Sequence, residues 1–318
     1  MGGHKSKQKE CSDCDQTQYG KFIDLAINMK SFTYINACSI EEAVTLLGER
    51  KPDALPIAGG TDLIVQMKRG LIAPKVLIDI SGIEKLHGIR NDEQGLYIGS
   101  MVTHAEIAAS PVVQISIPAV SAASASVGAP QTRNLGTLGG SLASCMPSMD
   151  AAPCLLALEA VARLTGKNGE RVIPIEQFFL GPRRSALAKD ELLVEIMIPA
   201  KNLTEACSFE KFGRRKALTL ALVNAAASVK LDKKTGKFEY ARLSLGAVAP
   251  TPIRARETEI FLMQKAANEQ TIGQAARLAA EEAKPINDFR ASADYRRALI
   301  KVLVKRVLTD AASKASNG

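Results

Sequence analysis

An α+β fold arranged in two domains is the architecture that this sequence predicts. The chain has 318 residues, which exceeds the usual size of a single domain. Short strand-like runs alternate with helical segments up to Pro199, whereas three longer strand-like runs and then helices fill the remainder. We therefore expect an N-terminal extension over residues 1–29, a first domain over residues 30–203 and a smaller α+β domain over residues 204–312.

The elements of the first domain follow from helix starts and short strand patterns. Ser39-Ile40-Glu41-Glu42 has the spacing of a capping box and predicts a helix that ends near Gly48, and Thr103-His104-Ala105-Glu106 is a second capping box. Strand-like runs cover residues 55–58, 76–80 and 96–99. The run over residues 160–165, the Asn168-Gly169 turn and residues 171–173 predict a β-hairpin.

The second domain begins after Pro199, with its boundary expected between residues 200 and 206. Strand-like runs over residues 208–212, 222–231 and 238–248 predict a three-stranded antiparallel sheet. Helical sequence follows over residues 254–308 and is divided by Pro285. Strands grouped before helices are typical of an α+β domain.

Two glycine turns are the most informative motifs of the chain. Ala58-Gly59-Gly60-Thr61-Asp62 follows a strand-like run, and Thr137-Leu138-Gly139-Gly140-Ser141 lies later in the first domain. Glycine pairs let the backbone approach a bulky anion, and neighbouring Thr and Ser add hydroxyl donors for phosphate oxygens. Together the turns predict a dinucleotide held from two sides, although each alone is consistent with an ordinary tight turn. The chain contains neither the Rossmann glycine fingerprint nor a Walker phosphate loop.

The net charge of +8 raises the question of a nucleic-acid partner. Trp is absent and aromatic residues make up only 4%, which argues against a stacking platform for single-stranded nucleic acid. The basic excess lies after residue 209, with 21 Lys and Arg against 11 Asp and Glu. Either these helices present a solvated basic face, or they dock an acidic partner through Arg296, Arg297, Lys301 and Lys305.

No segment of the sequence is typical of a membrane span or a secretory signal, so we expect a cytoplasmic protein. Six cysteines are present, and most are expected to be buried small side chains. Cys11 and Cys14 form a C-x-x-C pair within the N-terminal extension, but no second pair follows at a spacing that suits a metal site. We therefore predict no metal and no iron–sulfur cluster in this chain.

The motifs in combination resemble a known family. They include Ile57-Ala58-Gly59-Gly60-Thr61-Asp62-Leu63, Thr103-His104-Ala105-Glu106, Arg133-Asn134-Leu135-Gly136-Thr137-Leu138-Gly139-Gly140-Ser141, Ser148-Met149-Asp150 and Phe209-Glu210-Lys211-Phe212-Gly213-Arg214-Arg215. This pattern resembles the FAD-binding subunit of the molybdenum hydroxylases, the group that includes xanthine dehydrogenase and aerobic carbon monoxide dehydrogenase. The resemblance covers residues from about 30 to about 310. It implies a two-subdomain FAD-binding domain of the vanillyl-alcohol-oxidase-like (PCMH) type, followed by a carbon monoxide dehydrogenase flavoprotein C-terminal domain.

The resemblance also implies roles for individual residues. The first turn would hold the pyrophosphate of FAD through the amides of Gly59 and Gly60 and the hydroxyl of Thr61, and the second turn would supply an opposing set of donors. Asp150 would contact the cofactor or cap the following helix, and Lys211 would lie beside the pyrimidine edge of the flavin. The family usually has Asn where this chain has the shorter Ser141. The full set assigned to FAD is Ile57, Ala58, Gly59, Gly60, Thr61, Asp62, Leu63, Val127, Thr137, Gly139, Gly140, Ser141, Asp150, Leu193 and Lys211.

The function implied by the resemblance is electron transfer within a larger oxidoreductase. A molybdopterin-binding large subunit would oxidise the substrate, and a small subunit with two 2Fe-2S clusters would carry electrons to the FAD of this chain, which would pass them to NAD or another acceptor. The sequence leaves two alternatives open: a freestanding FAD-dependent oxidoreductase of the related fold, and a non-catalytic FAD-binding scaffold.

Overall fold

The computed structural model describes residues 29–203 and 206–317. The predicted N-terminal extension, with Cys11 and Cys14, lies outside these residues except for Met29. The remaining chain forms the mixed helix-and-sheet architecture that the sequence predicts, with a first domain of two main sheets and a small two-stranded sheet, and a second, smaller domain built on one sheet.

A small parallel sheet opens the first domain. Its strands are β1 (Thr33–Asn36), β2 (Ala54–Ile57) and β3 (Val76–Asp79), in the order β1-β3-β2. Helix α1 (Ile40–Arg50) connects β1 to β2, and helix α2 (Leu63–Lys68) leads towards β3. The side chain of Ser39 accepts a hydrogen bond from the Glu42 amide, which confirms the predicted helix start. The predicted runs over residues 55–58 and 76–80 are strands β2 and β3.

A five-stranded antiparallel sheet forms the second part of the first domain. The strands that follow in the chain are β4 (Ile89–Asp92), β5 (Gly95–Gly99), β6 (Val161–Gly166), β7 (Gly169–Pro174), β8 (Phe179–Gly181), β9 (Arg184–Ser185) and β10 (Glu191–Pro199). The sheet has the order β4-β5-β10-β6-β7, while β8 and β9 pair with each other. The predicted hairpin is confirmed, since β6 and β7 pair from Val161 with Pro174 to Gly166 with Gly169.

Short helices make up the rest of the first domain. They are α3 (His104–Ala109), α4 (Pro111–Ser116), α5 (Pro118–Ala125), α6 (Pro130–Leu135), α7 (Leu138–Ser144), α8 (Ala152–Ala157), α9 (Ile175–Phe178) and α10 (Ala200–Leu203), besides a 3-10 turn at Glu84–Leu86. Thr103 and Glu106 form both halves of the predicted capping box. Three of these helices begin with proline, whose fixed φ suits the first helical position. No helix within the described ranges is long and apolar enough to cross a membrane.

The second domain has an antiparallel sheet covered by long helices. Its elements are β11 (Ala206–Gly213), β12 (Ala221–Leu231), β13 (Phe238–Gly246), β14 (Ile253–Arg254), α11 (Arg256–Leu262), α12 (Glu269–Glu282) and α13 (Ala293–Asn317). The three predicted strands are confirmed, and the structure adds β14 as a fourth strand at the edge beside β13. Strand β14 was not predicted, because its two residues are too few to show the alternation of apolar and polar side chains by which a strand is recognised in a sequence.

Helix α8 joins the two domains. All six of its residues are buried, and it packs against β12 and β13 of the second domain. A helix that is apolar on every side needs partners on every side, which here come from both domains. Cys207 and Ala226 of the second domain belong to the same apolar core as the central strands of the first. Arg254 extends this contact, because its guanidinium donates to the Leu156 carbonyl (3.4 Å) and pairs with Glu259.

Candidate functional site

The two glycine turns lie on one cleft of about 660 Å³. The residues assigned to the cofactor that line it are Ala58, Gly59, Gly60, Thr61, Asp62, Leu63, Val127, Thr137, Gly139, Gly140, Ser141, Asp150 and Leu193. Two assigned residues do not line it: Ile57 is buried in the core below the first turn, and Lys211 lies behind Asp150. The cleft thus gathers residues from β2 to β10, together with Leu218, Thr219 and Leu220 of the second domain.

The first turn presents a row of unpaired amides. Among the described residues, no group accepts a hydrogen bond from the backbone N–H of Gly59, Gly60, Thr61 or Asp62. Gly60 has a φ of 68°, which side-chain-bearing residues rarely adopt. A Cβ at Gly59 would lie 1.6 Å from the carbonyl oxygen of Leu135, so only glycine permits this close approach of the two segments. Consecutive free amides in such a turn form an anion-binding concavity.

The second turn has a different set of free donors. The amide of Gly139 donates to the carbonyl of Ser100 (3.0 Å), and the amide of Gly140 donates to Oγ1 of Thr137 (3.0 Å). The amide of Ser141 donates to the carbonyl of Thr137 (3.0 Å). Helix capping and a strand-like contact therefore already use the amides of these three positions, and the opposing set of donors that the resemblance implies would have to come from side chains. The hydroxyls of Thr137 and Ser141 are what this turn offers to a ligand.

Three backbone hydrogen bonds join residues 100–104 to residues 136–139 beside the cleft. Besides the bond from Gly139 to Ser100, the amide of Leu138 donates to the Val102 carbonyl (2.9 Å) and the amide of His104 to the Gly136 carbonyl (3.0 Å). This places Ser100 and His104 among the residues that line the cleft. The hydroxyl of Ser100 and Nδ1 of His104 are buried with no hydrogen-bond partner among the described residues. Burial lowers the pKa of His104 to about 4, so its ring is neutral at physiological pH.

Asp150 brings a buried ion pair to the cleft. Its carboxylate accepts a hydrogen bond from Nζ of Lys211 (2.5 Å), which also donates to the carbonyl of Ser126 (2.8 Å). Asn224 donates to the second oxygen of Asp150 (3.3 Å). Burial raises the pKa of Asp150 to about 6 in spite of the attraction of Lys211. The alternative role of Asp150 as a helix cap is wrong, because Ala151 occupies the N-cap of α8 and no side chain caps it.

Several residues of the cleft were not predicted from sequence. Leu218 has a φ of 53° and lies with Leu220 at the mouth, where both side chains are exposed. Arg183 is the one Lys or Arg among the described residues that line the cleft. An anion bound here therefore depends mainly on neutral donors. His104 belongs to the predicted capping box, but only the backbone hydrogen bonds in three dimensions show that it and Ser100 lie beside the second turn.

The described residues, 29–203 and 206–317, contain no group of three His, Cys, Asp or Glu side chains arranged to hold a metal ion. The cysteines within these ranges, Cys38, Cys145, Cys154 and Cys207, are not in disulfides.

The amide row and the glycine close approach fit a ligand with a diphosphate, and the volume suits a large cofactor. Fold and cleft define a two-domain protein that binds a dinucleotide outside a Rossmann arrangement. Residues 30–201 match the family model of the FAD-binding domain in molybdopterin dehydrogenase, and residues 208–311 match the CO dehydrogenase flavoprotein C-terminal domain. The chain belongs to the FAD-binding medium subunits of the molybdenum hydroxylase family, and it is an oxidoreductase subunit.

Individual relatives agree with this assignment over almost their full length. The chain is 35% identical over 280 residues to the carbon monoxide dehydrogenase medium chain of Hydrogenophaga pseudoflava, covering 88% of this chain and 96% of that one. It is 32% identical to a xanthine dehydrogenase FAD-binding subunit of Escherichia coli, covering 89% and 97%.

Solved structures give the same picture. A carbon monoxide dehydrogenase structure from H. pseudoflava, which lacks the Mo-pyranopterin moiety of its molybdenum cofactor, matches with a TM-score of 0.86 and 35% identity. The match covers 90% of this chain and 98% of that one. Quinoline 2-oxidoreductase of Pseudomonas putida matches with a TM-score of 0.85 and 32% identity, over 91% of this chain and 100% of that one.

Proposed function

We propose that this chain is the electron-transfer subunit of a molybdopterin-dependent hydroxylase or dehydrogenase. It receives electrons from 2Fe-2S clusters of a small partner subunit and passes them through FAD to NAD or another acceptor. A molybdopterin-binding large subunit oxidises the substrate. The observation that carries the proposal is the row of free amides over residues 59–62, facing a second glycine turn across one cleft.

Different residues of the cleft bind different parts of FAD. The amides of Gly59 to Asp62 hold the diphosphate, because consecutive N–H groups stabilise negative charge without a cationic side chain. The hydroxyls of Thr61, Thr137 and Ser141 add donors. FAD, when bound, supplies a ring that accepts and releases electrons. Leu193 and Val127 contribute apolar wall to the same cleft.

Lys211 acts on the flavin region through Asp150. Its side chain is only 7% exposed, and its ammonium group is held by the Asp150 carboxylate and the Ser126 carbonyl. We therefore revise the expected direct contact at the pyrimidine edge to a supporting role, in which Lys211 keeps Asp150 ionised and oriented towards the cofactor.

The amide row is tested by adding a negative charge to it. Gly60→Asp places a carboxylate where the diphosphate is held, so FAD binding to the purified chain should be lost. Gly236→Asp is the control for the backbone conformation, since Gly236 has a similar φ of 64° and lies outside the cleft, although it lacks the contact at 3.2 Å that a Cβ at Gly60 would make with Cγ1 of Ile64. Both variants carry a similar backbone strain of about 1–2 kcal/mol. FAD content, measured by absorbance after denaturation, should fall only in Gly60→Asp, and equal loss in both variants would contradict the assignment.

The place of the chain in a complex is tested by co-expression with candidate large and small subunits. The expected product contains FAD, 2Fe-2S clusters and molybdenum in one salt-tolerant assembly. NADH should reduce its FAD if NAD is the acceptor. Turnover of an aldehyde or purine by the isolated chain would contradict the subunit assignment and support a freestanding oxidoreductase.

A further inference from the structure

Arg183 has a charged side chain that the described part of the structure leaves without a partner. It is the one Lys or Arg among the described residues that line the cleft, and its side chain is exposed. Within residues 29–203 and 206–317, its guanidinium forms no hydrogen bond and no ion pair. A guanidinium has five N–H donors and no acceptor, so all five are free to bind an anion.

The carboxylates among the described residues of the cleft do not occupy this guanidinium. Those of Asp150 and Glu191 form ion pairs, at 2.5 Å and 2.7 Å, with basic residues that do not line the cleft. The carboxylate of Asp62 lies at the first glycine turn and forms no ion pair with Arg183 or with any other described residue. The positive charge of Arg183 is therefore left for a ligand.

The backbone around Arg183 fixes the place of this charge. Arg183 lies in the turn between β8 and β9 with a φ of 58°, and its amide donates to the carbonyl of Cys145 (3.0 Å). Cys145 is the C-cap of α7, the helix of seven residues whose first turn contains Gly139 and Gly140. Seven helical residues span about 10 Å, so Arg183 is anchored about one helix length from the second glycine turn.

The chemistry of Arg183 suits a phosphate of a second ligand. A guanidinium binds phosphate oxygens through two parallel hydrogen bonds. In the proposed function, the free amides of the first glycine turn hold the diphosphate of FAD. A dinucleotide acceptor has a diphosphate of its own and must reach the same cleft to exchange electrons with FAD. An exposed cation beside the cleft suits a ligand that binds and leaves in every turnover.

We infer that Arg183 binds a phosphate of the electron acceptor, and that this acceptor is a nucleotide with a diphosphate, such as NAD. This inference rests on the proposed function, because it requires FAD in the cleft. It names the chemical class of the acceptor and the residue that recognises it.

The test is the binding of NAD to the full chain loaded with oxidised FAD, measured by isothermal titration calorimetry. NAD does not react with oxidised FAD, so the titration measures binding alone. Arg183→Gln should raise the dissociation constant about tenfold, as expected for the loss of hydrogen bonds to a charged group. Arg183→Lys keeps the charge but loses the paired hydrogen bonds, so its value should lie between those of the wild-type chain and Arg183→Gln. ADP, which has the diphosphate without the nicotinamide, should lose affinity by the same factor.

Arg184→Gln is the matched control. Arg184 is the next residue of the same hairpin and is also exposed, but it does not line the cleft. Its replacement removes the same charge from the surface, so it separates direct contact from general attraction of anions. Arg184→Gln should leave the affinity for NAD and ADP close to that of the wild-type chain. Both glutamine variants should keep the FAD content and the urea midpoint of the wild-type chain, because neither side chain has a structural partner among the described residues.

The outcomes separate this inference from the proposed function. If the wild-type chain holds no FAD, the proposed function fails and the inference fails with it. If the chain holds FAD but binds neither NAD nor NADP, the inference is overturned and the proposed function stands with another acceptor. Loss of FAD from Arg183→Gln alone would assign the guanidinium to the cofactor, and equal weakening in Arg183→Gln and Arg184→Gln would exclude a direct contact. Either result overturns the inference, as would a loss of affinity for NAD without a loss for ADP.

Discussion

Loss of the Lys211 ammonium group should destabilise the chain in a way that depends on pH. In Lys211→Met, the carboxylate of Asp150 loses the ammonium group at 2.5 Å while remaining only 8% exposed. A buried carboxylate without a counter-ion is strongly unfavourable, so the variant folds by taking up a proton on Asp150. The carbonyl of Ser126 also loses its donor, which adds a pH-independent cost of about 1–3 kcal/mol.

The pH-dependent part follows from the pKa of Asp150. In the wild-type protein this pKa is raised from 3.8 to about 6, so the stability contributed by the group is fully present below 3.8 and is lost as the pH rises through 6. Without Lys211 the pKa rises further, and each pH unit above 6 then costs the variant about 1.4 kcal/mol more than the wild-type protein. The difference should be near zero at pH 5, about 1.4 kcal/mol at pH 7 and about 3 kcal/mol at pH 8, in addition to the constant term.

Urea unfolding of the FAD-free protein, followed by circular dichroism at pH 5, 6, 7 and 8, measures this difference. Lys230→Met is the matched control, since Lys230 lies on β12, the strand that pairs with the β11 strand of Lys211, and forms an ion pair with Glu239 at 2.7 Å in which both side chains are exposed to solvent. That variant should lose less than about 1 kcal/mol at every pH. In the double variant Asp150→Asn, Lys211→Met, the pH dependence should disappear. A loss in Lys211→Met that is the same from pH 5 to pH 8 would refute the reasoning.

The basic residues of α13 should fall into two classes, which corrects the expectation that they act together in docking. Arg296 is only 2% exposed and forms an ion pair with Asp288 (3.0 Å). Arg296→Met should therefore reduce the free energy of unfolding, measured by urea titration, by about 3–5 kcal/mol. A reduction of less than about 1 kcal/mol would contradict this structural role. Lys301 and Lys305 are exposed, so Lys301→Glu with Lys305→Glu should leave stability within about 0.5 kcal/mol and slow association with the partner subunits at low salt, as measured by stopped flow. An unchanged association rate would exclude this face from docking.

Local sequence signals predicted the elements that depend on local interactions. The hairpin around Asn168-Gly169 and the capping boxes at Ser39 and Thr103 involve residues close in the chain, so their spacing alone was sufficient. Strand β12 was equally clear, because its long apolar run is buried on both faces.

The parts of the site that escaped prediction depend on contacts between distant residues. Leu193 was expected at the cofactor only through the family resemblance, because the pairing of β10 between β5 and β6 that brings it to the cleft joins distant parts of the chain. The use of the Gly139 amide by the Ser100 carbonyl could not be deduced from the glycine motif, because the motif says nothing about the segment that packs beside it. The same reason explains Lys211: the sequence marked it as a cation near the cofactor, but not that Asp150 holds it.

The ion pair of Asp150 and Lys211 also limits how such chains can be recombined. Asp150 belongs to the first domain and Lys211 to the second, and Asn224 of the second domain contacts the same carboxylate. A chimaera that takes its second domain from a relative inherits the carboxylate from one parent and its counter-charge from the other. Domain exchange intended to change the electron acceptor should therefore transfer these three residues as one set, because a chimaera without Lys211 places an uncompensated charge at the junction of its two parents.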